Sequence, residues 1–133
     1  MNKKTIPTKL ATLNDLKGRQ EICKSINPLV ADAFALYVKT KSFHWHMSGS
    51  HFRDYHLLFD EQAEQIFAMI DVLAERVRKL GATTICSINH ISRLQKIKDD
   101  EIIQKKKKMI QHLMHDNKNY AAYMRSTHQV CAD

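Results

Sequence analysis

Five side chains of metal-ligand type, His44, His56, Asp60, Asp71 and Glu75, fall within residues 44–75 of a 133-residue chain. His56 and Asp60 are four residues apart and so share one face of a helix, as do Asp71 and Glu75. Asp60 and Asp71 are eleven residues apart, close to three full turns, which puts both pairs on one stripe. Eleven residues of helix also rise about 16 Å, whereas a metal–ligand bond spans only about 2.0–2.2 Å. One copy of the helix therefore cannot close one site with both pairs. Two copies can, packed antiparallel about a twofold axis near residues 65–66. His56 and Asp60 of one chain then face Asp71 and Glu75 of the other, and the symmetry makes two such sites. Mixed imidazole and carboxylate ligands suit iron, zinc or manganese better than calcium. Clustered carboxylates with no cation between them would repel one another. Glu64 lies on the same stripe between the two pairs and reads as solvated or ion-paired.

The element that must carry this stripe is a helix over 51–80. Phe52, Tyr55, Phe59, Ile66, Ile70, Leu73, Val77 and Leu80 make its core face. Ser50 is its expected N-cap, Asp54 suits the first turn, and Arg76, Arg78 and Lys79 crowd the last turn before Gly81. The ligand stripe runs about 100° around from the core stripe, with Phe67 between the ligand pairs and Ala63 and Ala68 nearby. An apolar centre flanked by polar clusters is what a twofold helix contact needs.

A preceding helix over 17–46 is expected from Ile22, Ile26, Leu29, Val30, Ala33, Phe34 and Tyr37 at spacings of three and four. Pro28 interrupts it. The helix either starts there with Asn27 as cap or kinks, and the periodicity on both sides favours the kink. Gly49 makes a short loop, so the two helices run antiparallel. Residues 82–98 form a long connection in which Ser87 caps a short helix ending at Leu94. A third long helix is expected over 100–130, capped by Asp99 or Asp100, with Ile103, Ile110, Leu113, Tyr120 and Met124 inward. The run Lys105–Lys108 covers most of a turn, so at least one lysine must lay its stem along apolar surface. That run reads as a solvated face before a nucleic-acid patch.

Composition frames these elements as one all-α domain over 17–133, preceded by a basic tail over 1–16. Few glycines and prolines favour long helices over a turn-rich β fold. No apolar run reaches the roughly 20 residues of a membrane span, and no apolar segment follows the initial lysines as in a secretory leader. Three scattered cysteines, Cys23, Cys86 and Cys131, read as reduced thiols in a cytosolic protein. The net charge of +7 implies attraction to polyanions. Lys3, Lys4 and Lys9 could touch DNA phosphates, or belong to an ordinary solvated terminus.

The order His44-Trp45-His46-Met47-Ser48-Gly49, Phe52, His56, Phe59-Asp60-Glu61, Asp71, Ala74-Glu75-Arg76 and Leu80-Gly81 resembles the Dps family, mini-ferritins named as DNA-binding proteins from starved cells. The likeness runs from about residue 20 to the end. It implies a ferritin-like bundle and an iron-oxidation centre between subunits, with His44, His56 and Asp60 from one chain and Asp71 and Glu75 from its twofold mate. It also implies ferroxidase activity with hydrogen peroxide as oxidant, ferric storage in a hollow dodecamer, and protection of DNA in the cytoplasm or nucleoid. Iron is the implied metal, with zinc or manganese possible at the same ligands. Trp45 resembles the tryptophan beside the family's centre and is either an oxidisable donor or a hydrophobic anchor. His46 points about 200° from His44 on a helix and is not counted as a ligand. Conventional ferritins place Glu-x-x-His motifs inside one bundle, and no such motif occurs here. The family bundle has a fourth long helix. Only three are expected here, which would leave an apolar groove open.

Overall fold

The computed structural model describes residues 18–132. The basic segment 1–16, with Lys3, Lys4 and Lys9, lies outside the described residues. Three long helices and one short helix follow in order: α1 (Arg19–His46), α2 (Phe52–Lys79), α3 (Ile88–Leu94) and α4 (Lys106–Ala132). The described residues are all-α, as expected.

Helix α1 is the centre of the packing. It packs closely against α2, α3 and α4, whereas the backbones of α2 and α4 do not approach each other. Its inward face buries Ile26, Leu29, Val30, Ala33, Leu36 and Phe43, the 3.6-residue pattern of an amphipathic helix. Of the residues expected there, Ile22, Phe34 and Tyr37 are only partly buried, while Leu36 is completely enclosed. The helix passes through Pro28 rather than starting at it. Asn27 is no cap. Its amide donates to the Thr83 carbonyl and its oxygen accepts from the Thr84 hydroxyl, tying α1 to the segment after α2.

Helix α2 carries the expected core stripe through Phe59, Ile66, Ile70 and Val77, with Leu80 just beyond it. Phe52 departs from it: 44% exposed, it stacks on His56 at 4.9 Å. Ala63, expected near the outward stripe, is enclosed in the core instead. Ser50 does not cap α2. His51 takes the cap position in the left-handed region, φ 58°, with no side-chain capping bond. The Ser50 carbonyl and hydroxyl instead accept from Lys106 Nζ. Lys106 also lies over the Tyr55 ring at 5.2 Å, so it is the lysine of the basic run that lies along apolar surface.

Helix α3 is capped as expected, the Ser87 hydroxyl accepting from the His90 N–H. Helix α4 starts later than expected, because local partners claim both acids proposed as its cap. Asp99 accepts from Gln95. Asp100 accepts from the Ile102 N–H and pairs with His112 at 2.8 Å. Ile103 therefore lies before the helix and is exposed. Met109, Leu113 and Tyr120 supply the inward face.

Two buried charges on α1, seven residues apart, hold the connection between α3 and α4. Asp32 Oδ1 accepts the N–H groups of Lys96 and Ile97 at 2.6 and 2.9 Å. Lys39 Nζ donates to the Lys98 carbonyl and, at 2.6 Å, to Asp116 on α4. The peptide run is thus gripped by an acceptor at one end and a donor at the other. Burial pushes the Asp32 carboxyl above its usual range, only partly offset by the N–H groups of Ile97 and Lys96.

Removing one partner of a buried ion pair strands the other charge. We expect Asp116→Ala to cost about 3 kcal/mol in urea denaturation. Lys39→Met combined with Asp116→Leu should recover most of that loss, since an apolar pair removes both desolvation costs. A single Asp116→Ala variant as stable as the parent would show that the pair does not secure α4.

Candidate metal centre

Three of the five ligand-type residues gather where the end of α1 meets the start of α2. Their arrangement rests on a reciprocal clamp. His44 Nδ1 contacts the His56 carbonyl at 2.6 Å, and His56 Nδ1 contacts the His44 carbonyl at 2.8 Å. A carbonyl can only accept, so both Nδ1 atoms carry the proton. In the neutral rings Nε2 is then the atom with the lone pair that can bind a metal. The rings stack with centroids 3.7 Å apart, tilted 19°, and Phe52 covers the outer side of His56. His44 is buried despite its polarity, which the bond to a backbone oxygen accounts for.

Asp60 completes the group on this protomer. Its Oδ1 lies 3.9 Å from His44 Nε2, too far for a hydrogen bond. It accepts instead from Lys41 Nζ at 2.7 Å. That bond holds the Asp60 carboxyl below the usual carboxylate range, with nearby His44 and His56 acting in the same sense. Lys41 is correspondingly raised, first by its bond to Asp60. Lys41 was not singled out from the sequence, although its position three residues before His44 puts it on the same face of α1.

Asp71 and Glu75 do not join the cluster. Both lie exposed on α2, about 16 Å along the helix from Asp60 by the rise of eleven residues. Among the described residues, no three His, Cys, Asp or Glu side chains converge within one protomer to hold a metal ion. Phe67 lies between the two ligand pairs, 57% exposed, with its ring 5.3 Å from Tyr37. Beside it, Phe67, Asp71, Ile85 and Ile88 border an open groove of about 590 Å³. Trp45 is exposed. His46 turns away from His44, as expected, and its Nδ1 donates to the Ser42 carbonyl. Glu64 is exposed.

This architecture has known counterparts. Residues 23–133 match the ferritin-like domain family. The chain belongs to the ferritin-like family. Within it, the chain is a mini-ferritin of the Dps type. It is 28% identical over 116 residues to DNA protection during starvation protein 1 of Deinococcus radiodurans, an alignment covering 86% of this chain and 56% of that protein. The Dps structure from Thermosynechococcus elongatus superposes with a TM-score of 0.84 at 26% identity, covering 86% of this chain and 73% of the other. The Dps structure from Vibrio cholerae, described as a member of a broad superfamily of ferritin-like diiron-carboxylate proteins, gives 0.85 at 23% identity, covering 92% and 79%. This Dps-type chain spans about half the length of the curated relatives it matches. No helix among its described residues is long and apolar enough to cross a membrane.

The clamp fixes which ring nitrogen is protonated, and this can be read directly. In the metal-free protein, long-range ¹⁵N–¹H correlation spectra should show His44 and His56 both as the Nδ1–H tautomer. Two Nε2–H imidazoles would contradict the clamp.

Proposed function

We propose that this chain oxidises ferrous iron at a centre shared by two protomers, stores the ferric product and thereby protects DNA. The observation that carries the reading is the split ligand set. His44, His56 and Asp60 stand together on one protomer, while Asp71 and Glu75 lie exposed on the far half of the same helix. An antiparallel twofold contact centred near residues 65–66, with exposed Phe67 at its middle, brings the two sets together twice. Membership of the ferritin-like family supports iron as the substrate.

The chain's own residues have definable parts in such a centre. The clamped imidazoles offer neutral nitrogen lone pairs without rotating, so little ordering cost remains at binding. Asp60, with Asp71 and Glu75 of the second protomer, supplies negative charge that favours the ferric over the ferrous state. Two ferrous ions give one electron each to hydrogen peroxide, whose O–O bond breaks to leave two hydroxide equivalents. Both reagents of hydroxyl-radical chemistry are consumed, and DNA is shielded without being touched. Assembly into a hollow dodecamer would provide the store. Zinc or manganese would occupy the same ligands without completing this reaction in the same way. Trp45, next to His44 and exposed, would be an oxidisable donor for stray radicals.

Anaerobic loading with ferrous iron, then rapid mixing with hydrogen peroxide, should give a fast, saturable rise in ferric absorbance well above the protein-free control. His56→Ala or Asp71→Ala should lower that rate by at least about 100-fold, the scale on which metal-site residues act, with helical circular dichroism unchanged. Full activity in both variants would remove the site assignment.

A further inference from the structure

The split centre raises a question of charge. If two protomers meet as proposed, Asp60 of one faces Asp71 and Glu75 of the other. Before iron arrives, three carboxylates would then share a partly desolvated seam, and like charges so placed oppose association. The Nδ1 protons of the two imidazoles are committed to backbone carbonyls and are not free to donate across the seam.

One cation does stand there. Lys41 Nζ lies 2.7 Å from Asp60 Oδ1. It reaches across from α1 to α2 and approaches the same carboxylate oxygen that lies 3.9 Å from His44 Nε2. Lys41 and Asp60 both remain partly open to solvent, with side-chain exposures of 21% and 37%. A second protomer could therefore cover them, and its carboxylates could reach the ammonium. Glu64, one turn beyond Asp60 on α2, adds to the negative charge around the ammonium. An ammonium has three donors, and only one is used on Asp60 here.

We propose that Lys41 is the resident counter-cation of the empty centre, holding the two protomers' carboxylates together until a divalent ion displaces it. The inference rests on the shared-centre reading above. In the empty centre the ammonium donates to Asp60 and to Asp71 or Glu75 of the second protomer. A divalent ion then takes Asp60 Oδ1, and the flexible lysine stem swings its charge out to solvent or to Glu64. Lys41 acts through Asp60 and touches no reacting atom, so it is a positioning residue. Two consequences follow in opposite directions. Lys41 favours association of the metal-free protein, and it competes with the incoming ion.

The test compares the full-length chain with Lys41→Met and Lys41→Arg, using zinc as a redox-inert divalent probe. Self-association is measured by sedimentation with chelator and with zinc, and zinc affinity by calorimetry. Without metal, Lys41→Met should self-associate about tenfold more weakly than the parent, the scale of one lost charge pair across an interface. Zinc should restore its association, zinc should bind it more tightly than the parent, and Lys41→Arg should keep the metal-free assembly. A lysine that merely braces α1 against α2 would lower melting temperature without making assembly depend on zinc. Equal metal-free association of Lys41→Met and the parent would overturn the proposal, as would failure of zinc to restore a normally helical Lys41→Met protein. A parent protein that stays monomeric with and without zinc would instead sink the shared centre itself.

Discussion

A helix cannot bring residues eleven positions apart to one metal ion. That constraint, which follows from the rise of the α-helix, governs the functional architecture of this chain. Helix α2 carries two pairs of ligand-type side chains on one stripe, and the described structure keeps them apart. A ferritin that closes its centre inside one bundle places ligands on several helices. Here the proposed ligands come from both ends of α2 and from His44 on α1, so the proposed centre needs a second copy. The exposed, apolar middle of α2 at Phe67 is costly as free surface. The proposed twofold contact would cover it.

The protomer's contribution to the proposed centre needs little rearrangement. The chain turns back at Gly49, so the last turn of α1 lies beside the first turns of α2. That proximity lets His44 and His56 each use the other's carbonyl. Each ring is thereby oriented by backbone rather than by mobile side chains, with Nε2 left clear of the clamp. The same junction places Lys41 against Asp60. Behind it, Lys39 on the next face of α1 grips both Asp116 and the Lys98 carbonyl. One helix therefore holds α4 on one side and presents its part of the proposed centre on another.

Much of this was legible in the sequence where a regular period was at work. The stripe of α2 and the ligand spacing are both readings of 3.6 residues per turn, and the structure reproduces the helix and its core face. Ser87 was legible as a cap because nothing competes for its hydroxyl. The departures occur where another partner, near or distant in sequence, outbids the expected one. Ser50 is taken by Lys106, so His51 turns left-handed and α2 begins without a side-chain cap. Asp99 and Asp100 are taken by Gln95, Ile102 and His112, and α4 starts at Lys106 instead. Phe52 leaves the core stripe to stack on His56. The reciprocal clamp had no sequence signal, because its acceptors are backbone carbonyls that every residue possesses. Lys41 had a weak one, its three-residue spacing from His44.

The central claim is that each centre takes His56 from one chain and Asp71 from another. Subunit complementation tests it most directly. His56→Ala and Asp71→Ala proteins are each prepared, then unfolded, mixed in equal amounts and refolded together. Random pairing yields mixed dimers in which one of the two centres is intact, so peroxide-dependent iron oxidation should recover to about a quarter of the parent rate. Mixtures no more active than either variant alone would contradict the account, because a centre built within one chain cannot be repaired by a neighbour.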